Sequence, residues 1–408
     1  MQTKLPAQFL DTTLGKRADS ILRSCVHCGF CTATCPTYLL TGNELDSPRG
    51  RIYLVKELLE HGKVSQVTRT HLDSCLSCQS CETTCPSDVQ YHELLNIGKH
   101  IMTEEHAAPW LVRVKRTLLL AVLGSGKTFA LLVTLGRMFR FLLPGSLARQ
   151  LGQKNTNNSS PASREVHERK VVLLGGCVQK ALSPNTNQAA TRVLNALKIE
   201  GTVIQNESCC GAMHFHSDKQ NNGLERALQL VAQLETELEI GAEAIVSTAS
   251  GCGNFIKDYR QLFPDDELMQ ARLEKLQNKI MDISEFLHNE NLALLNITAS
   301  EKLVFHSPCT LQHGQKLPGL VERLLHELGF KLAPVTDSHL CCGSAGTYSL
   351  FQPKMARQLR DNKIKELTRK QTGKIATANI GCQCHLASGT NTPVRHWIEY
   401  LADALKGA

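Results

Sequence analysis

One cysteine pattern, C-x2-C-x2-C-x3-C-P, stands twice near the start of the chain. It occurs as Cys25, Cys28, Cys31, Cys35 and Pro36, and fifty residues later as Cys75, Cys78, Cys81, Cys85 and Pro86. Three cysteines so close together wrap three irons of one cubane, while the fourth, held by the proline that ends the turn, points toward a second. Cys25, Cys28, Cys31 and Cys85 are therefore expected to hold one [4Fe–4S] cluster, and Cys75, Cys78, Cys81 and Cys35 the other. Crossed ligation of this kind ties both runs into one small lobe and sets two centres side by side, an arrangement suited to one-electron hopping. Zinc is the competing reading, but zinc sites draw their ligands from two separated pairs rather than from tight runs of four. Disulfides are disfavoured: the opening MQTKLPAQFLDTTLGKRADS has no apolar signal segment, so a reducing, cytoplasmic location is expected.

The 408 residues, 42% of them apolar, suit a soluble multidomain α+β chain. Residues 1–105 form the cluster lobe. Within it SPRGRIYLVKELLEHGK reads as a helix starting near Ser47 and Pro48 and stopping at Gly62, with Ile52, Leu54, Val55, Leu58 and Leu59 on one face. The next segment, 106–151, is basic and apolar. From His106 to Ser163 there is no Asp or Glu, while Arg113, Lys115, Arg116, Lys127, Arg137, Arg140, Arg149 and Lys154 lie there, more than the chain's whole net charge of +7. A spanning helix needs about twenty unbroken apolar residues. Here Gly124, Gly126 and Lys127 interrupt the stretch, and a lysine at mid-bilayer would cost ~3 kcal/mol. Two short helices are expected instead, lying on a membrane surface with their basic residues toward anionic lipid, or packed on protein. The Gly126-Lys127-Thr128 ending imitates a phosphate-binding loop, but Ala121 stands where its first glycine belongs. The polar stretch 152–164 reads as a linker.

Beyond it the chain repeats with a period of about 132 residues, over 165–300 and 301–408. The strand-like VVLLGGC ending at Cys177 answers LVFHSPC ending at Cys309. Cys209-Cys210-Gly211 answers Cys341-Cys342-Gly343, and the Gly-Cys at Cys252 answers that at Cys382. Strands alternating with helices imply parallel α/β units, whose ligands gather beyond the carboxyl ends of the strands. Cys177, Cys209, Cys210 and Cys252 are thus expected to converge on one metal site, and Cys309, Cys341, Cys342, Cys382 and Cys384 on a second. His214, His216, His306 and His385 lie beside these turns as possible ligands or proton carriers, although a lone histidine is more often simply packed.

The paired cysteine-proline runs on an α-helical lobe resemble the ferredoxin modules of respiratory dehydrogenase subunits. The Cys-Cys-Gly segments resemble the CCG repeats of heterodisulfide reductases and of lactate, glycolate and glycerol-3-phosphate dehydrogenase subunits. That pattern ends in C-x2-C, whereas here the first copy has Asn254 after Cys252 and the second has the shorter Cys382-Gln-Cys384. The whole order is most similar to the iron–sulfur subunits of bacterial glycolate oxidases. The resemblance implies an electron-transfer subunit that takes electrons from a flavin-containing dehydrogenase subunit, where glycolate becomes glyoxylate, and passes them toward a quinone or another membrane acceptor. It implies two [4Fe–4S] clusters, a further iron–sulfur cluster or zinc in the repeats, and a peripheral position on the inner face of the cell membrane. Lactate or glycerol-3-phosphate as the partner's substrate, and disulfide reduction in the chain itself, are the alternative readings. No G-x-G-x-x-G fingerprint follows a strand, so hydride chemistry is expected on another subunit, and no nucleic-acid partner is expected.

Overall fold

The computed structural model describes residues 1–105, 109–124, 126–143, 145, 148, 166–204, 206–299, 301–369 and 373–406. The linker read at 152–164, together with Arg149 and Lys154, lies outside them. The amino-terminal lobe is helical. Its central helix, Pro48–His61, is fixed at both ends by its own residues: Ser47 Oγ accepts from Gly50 N at 3.0 Å, Pro48 occupies the first turn, and Gly62 closes the last turn at φ 63°. Ile52, Val55, Leu58 and Leu59 are buried against Leu94 and Leu95 of the helix Tyr91–Glu105. Gly98 permits the close crossing, because a Cβ there would lie 2.8 Å from Val55 Cγ2.

Two short helices, Trp110–Gly124 and Gly126–Met138, follow at an angle of 89°, and among the described residues no single helix is long and apolar enough to cross a membrane. One side of the pair packs on the first repeat, where Arg226 donates to Gly124 O at 3.1 Å. The other side leaves Trp110, Leu111, Leu118, Leu131, Met138, Phe141 and Leu142 exposed. Not every basic residue of the segment faces outward, contrary to expectation. Arg116 is buried, paired with Asp73 at 3.1 Å and with Asp218, and stacked on Phe351, so it rivets the helix to the cluster lobe and both repeats. Among the described residues a helix, Trp110–Gly124, and not a strand leads into Gly126, so the phosphate-loop imitation lacks the strand it needs.

Each repeat is a four-stranded parallel sheet with the same strand order, 2-1-3-4. The first comprises β1 (Arg169–Leu174), β2 (Ile199–Val203), β3 (Ala244–Ser247) and β4 (Ile280–Asp282); the second comprises β5 (Lys302–His306), β6 (Lys331–Ala333), β7 (Ile375–Thr377) and β8 (Val394–His396). β1 and β5 are the second strands across and are buried by helices on both faces, as unbroken apolar runs require. Sequence patterning gave no sign of β4 and β8, which are only three residues long. The repeats pack reciprocally: helix Asn185–Ala196 lies on Trp397–Asp403, and helix Leu320–Glu327 lies on Ile283–His288. One apolar core, from Val171 and Leu194 through Ile283 and Leu303 to Leu324, Trp397 and Leu401, runs through both.

Candidate metal centres

In each cysteine run the same two positions adopt left-handed backbone: His27 and Gly29 in the first, Ser77 and Gln79 in the second. Two such reversals in three residues curl the loop so that its cysteine side chains point inward and its amides line the hollow. Cys25, Cys28, Cys31 and Cys85 all line one open cavity, together with Val26, Phe30, Tyr91 and Cys81 of the other set. This set lies at the surface, with Cys28, Val26 and Phe30 exposed. Cys78 has Cys309, Cys35 and Cys75 as electrostatic neighbours and Cys81 has Cys78, Cys75 and Cys35, and burial pushes both thiols well up. The second set is the more deeply buried of the two, and the sets adjoin, since Cys81 also borders the outer cavity and Cys31 has Cys35 among its neighbours.

The backbone amide of His27 is a hydrogen-bond neighbour of Cys25, while the neighbouring side chains turn elsewhere. Ser24 bonds Ile21 O, Thr34 bonds Ser80 O, and His27 packs on Tyr53. Thr37 Oγ1 lies 3.2 Å from Cys35 Sγ, Tyr91 Oη lies 3.5 Å from Cys75 Sγ, and Arg51 Nη1 lies 4.0 Å from Cys35 Sγ. Arg51 is 1% exposed and fully bonded, to His71 O at 2.8 Å, Thr37 Oγ1 at 3.1 Å, Ser74 Oγ at 2.8 Å and Asp46 Oδ1 at 3.4 Å. Burial opposes its charge, but the thiols of Cys75 and Cys35 and the Asp46 carboxylate hold the guanidinium firmly protonated. Arg51 sits in the first turn of an amphipathic helix, where surface exposure is the ordinary expectation. Only tertiary packing brings it inside.

In both repeats the cysteines gather beyond the carboxyl ends of the strands. In the first, Cys177 Sγ is 3.5 Å from Cys209 Sγ, and Cys177, Cys210 and Cys252 share a small cavity with Glu207 and Leu174. Hydrogen bonding among the three thiols pulls Cys209 down and pushes Cys177 and Cys210 up. The buried Glu207, absent from the expected ligands, accepts from Gly175 N at 2.7 Å and pairs with Lys180 at 3.2 Å. In the second, Cys309 Sγ is 3.8 Å from Cys341 Sγ, while Cys342 and Cys382 form a second pair nearby, in contact with His306. Gly211 and Gly343 both adopt φ 88°, which lets the chain turn under each cysteine pair. Cys384 does not join its neighbours. Two residues on from Cys382 in helix Ile380–Ala387, it points roughly 200° away around the axis. Its charged neighbour is Arg137, and burial pushes its thiol up to about 12. Of the flanking histidines, His385 donates to Ala356 O at 3.1 Å, and His216 packs among His92, Phe215 and Phe255, where burial pushes it down to about 3.

The buried cysteines of the lobe and of the second repeat share a wall. Leu76 and Cys78 pack with Cys309, Cys341 and Tyr348, and Thr83 Oγ1 meets His313 Nδ1 at 2.8 Å. The two repeats meet at Asn379, which accepts from Gly251 N at 3.2 Å and approaches Cys382 Sγ at 3.5 Å.

A helical lobe with two cysteine sets, joined to a duplicated α/β unit with two more, defines an iron–sulfur electron-transfer protein. Comparison with known families agrees: residues 21–89 match the 4Fe-4S dicluster domain, and residues 171–257 and 303–387 each match the cysteine-rich CCG domain. The glycolate oxidase iron-sulfur subunit of Escherichia coli (strain K12) is 48% identical over 406 residues, covering the whole of both chains. The chain belongs to the family of glycolate oxidase iron–sulfur subunits. A probable glycolate oxidase iron-sulfur subunit of Bacillus subtilis (strain 168) is 28% identical, covering 90% of this chain and 89% of its own. Lactate utilization protein A of Exiguobacterium sp. is 25% identical over 58% of this chain and 99% of its own.

Proposed function

We propose that this chain is the electron-transfer subunit of a glycolate-oxidising complex, carrying electrons from a flavin-containing dehydrogenase subunit toward a quinone or another membrane acceptor. The observation that carries the reading is the graded burial of its cysteine sets: one open to solvent, one interior, and a third sharing a wall with the second. Cys25, Cys28, Cys31 and Cys85 are the ligands of the outer [4Fe–4S] group, and Cys75, Cys78, Cys81 and Cys35 those of the inner one. Each such group, when bound, supplies acceptance and release of one electron at a time. The cysteines of the repeats hold a further iron–sulfur cluster or zinc, the thiolate-rich pockets suiting either.

The rest follows from what the chain's own residues do. Val26 and Phe30, exposed on the cavity that Cys28 lines, offer an apolar surface fit to seat a donor subunit and exclude water from the crossing. Arg51, Thr37 and Tyr91 direct positive charge and hydrogen bonds at the inner thiolates, favouring reduction there. The exposed apolar side of Trp110–Gly124 and Gly126–Met138, flanked by the exposed Arg113 and Arg140, suits a peripheral position on the cytoplasmic face of an anionic membrane.

Replacing Cys28 by Ser tests the wiring. The anaerobically purified complex is expected to lose one of two interacting reduced cubane EPR signals and its quinone reduction, while the flavoprotein still reduces an artificial dye with glycolate. Unchanged iron content and quinone turnover would refute the proposal. Glycolate oxidation that survives deletion of this chain in cells, alongside lost lactate oxidation, would move it to the lactate alternative.

A further inference from the structure

The second repeat places an imidazole among its thiols. His306 is the last residue of β5 and pairs in register with Thr377 of β7. It is 2% exposed. Its Nδ1 lies 3.0 Å from Thr377 Oγ1, whereas Nε2 is shut off from solvent and has no hydrogen-bond partner. A ligating atom of His306, Cys342 Sγ and Cys382 Sγ all lie within 4.8 Å of one another. Leaving a buried polar nitrogen unsatisfied costs ~1–3 kcal/mol, so such an atom calls for a missing partner. The sulfurs beside it are weak acceptors and the space between them is small and ringed by soft donors, a setting that suits a metal ion better than a water.

We propose that His306 Nε2 is a metal ligand, binding with Cys342 and Cys382 a thiophilic ion that is either zinc(II) or an iron of an iron–sulfur cluster. The proposal rests on the reading of the second repeat as a metal centre. Thr377 is a positioning residue: by accepting from Nδ1–H it fixes the tautomer that leaves the Nε2 lone pair facing the sulfurs. The first repeat supplies an internal contrast. There the residue in the same register is Leu174, paired with Ser247, and it lines the cavity of Cys177, Cys210 and Cys252 as an inert wall. The two copies therefore differ in kind, one with sulfur ligands beside a carboxylate and the other with a nitrogen ligand.

The test uses the full chain purified anaerobically, with metal analysis, X-ray absorption at the zinc and iron edges, and pulsed EPR after reduction. If the ion is zinc, wild-type protein should show a nitrogen shell at about 2.0–2.1 Å beside sulfur at about 2.3 Å at the zinc edge. If it is iron, the reduced protein should show coupling to a histidine nitrogen. His306→Ala should abolish that signature and lower metal occupancy of this site. His306→Cys should keep the metal with an all-sulfur shell, which separates lost ligation from lost folding. Thr377→Val should weaken metal retention against a chelator by roughly 10–100-fold, as loss of a ligand-orienting contact does. A nitrogen signature persisting in both His306 variants, or an all-sulfur shell around metal bound to the wild-type repeat, overturns this inference alone. A wild-type second repeat without any metal overturns the metal-centre reading as well.

Discussion

Removing the buried cation beside the inner cysteines should lower the reduction potential of the group they hold. Arg51 Nη1 lies 4.0 Å from Cys35 Sγ. At that range a unit charge acts with ~4 kcal/mol at an effective dielectric of about 20. For one electron that is ~180 mV, taking about 1.4 kcal/mol per 59 mV. Two things reduce it: the added electron spreads away from Cys35, and Asp46, 3.4 Å from the same guanidinium, cancels part of the field. Arg51→Met is therefore expected to shift the potential down by about 60–150 mV, the charge term above discounted by between a sixth and two-thirds. The outer group should move far less. Because the single change strands Asp46 in the interior at a cost of about 3–5 kcal/mol, the cleaner variant is Arg51→Met with Asp46→Asn. Its net charge in the pocket is unchanged, so the shift should shrink to under about half that of the single variant, leaving only the difference in distance. An EPR-monitored redox titration of both variants reads this directly. An upward shift, or equal shifts of both groups, would show that Arg51 acts through the fold rather than through its charge.

Three further outcomes are expected. Burial raises the Asp282 carboxyl from 3.8 to about 6, so the folded state holds its proton more tightly. The stability this side chain contributes is full below about pH 4 and is lost as pH rises through 6, by up to ~3 kcal/mol. Asp282→Asn, which can still cap helix Ile283–His288, should thus gain in melting temperature relative to wild type at pH 7.5 compared with pH 5; the opposite trend refutes the assignment. Gly211→Ala forces φ 88° on a side chain whose Cβ would meet Gly223 O at 2.3 Å, so a loss of about 2 kcal/mol or more is expected in denaturant melts. Arg113→Gln with Arg140→Gln should weaken sedimentation with anionic vesicles by roughly thirty-fold, at ~1 kcal/mol for each cation; no change would place that face on protein instead.

The parts of this molecule readable from sequence are those set by local rules. The cysteine runs carry their ligand pattern in their spacing, Ser47, Pro48 and Gly62 bound their helix by capping chemistry, and the 132-residue repeat discloses the duplicated parallel sheets. What escaped the reading depends on contacts distant in sequence. Arg51 is interior only because Thr37, Asp46, His71 and Ser74 converge on it. Arg116 looked like one more surface cation until Asp73 and Asp218, far apart in the chain, closed around it. Cys384 was grouped with its neighbours by proximity in sequence, whereas helical geometry turns it away. His306 stood as one of four flanking histidines, and comparing the two copies sets it apart from the other three, since it replaces Leu174 at the end of an otherwise matching apolar strand.

The reciprocal packing of the repeats bears on how such a chain changes over time. A duplicated domain whose folding depended on its metal would have to keep both ligand sets intact. Here each half is buttressed by a terminal helix of the other over a continuous apolar core, so neither cysteine site need be the keystone of the fold. Substitutions at Leu174 or His306, Asn254 or Cys384 can then accumulate separately in the two halves. One founding sequence is thereby free to furnish two pockets of different chemistry while the halves remain inseparable as a body.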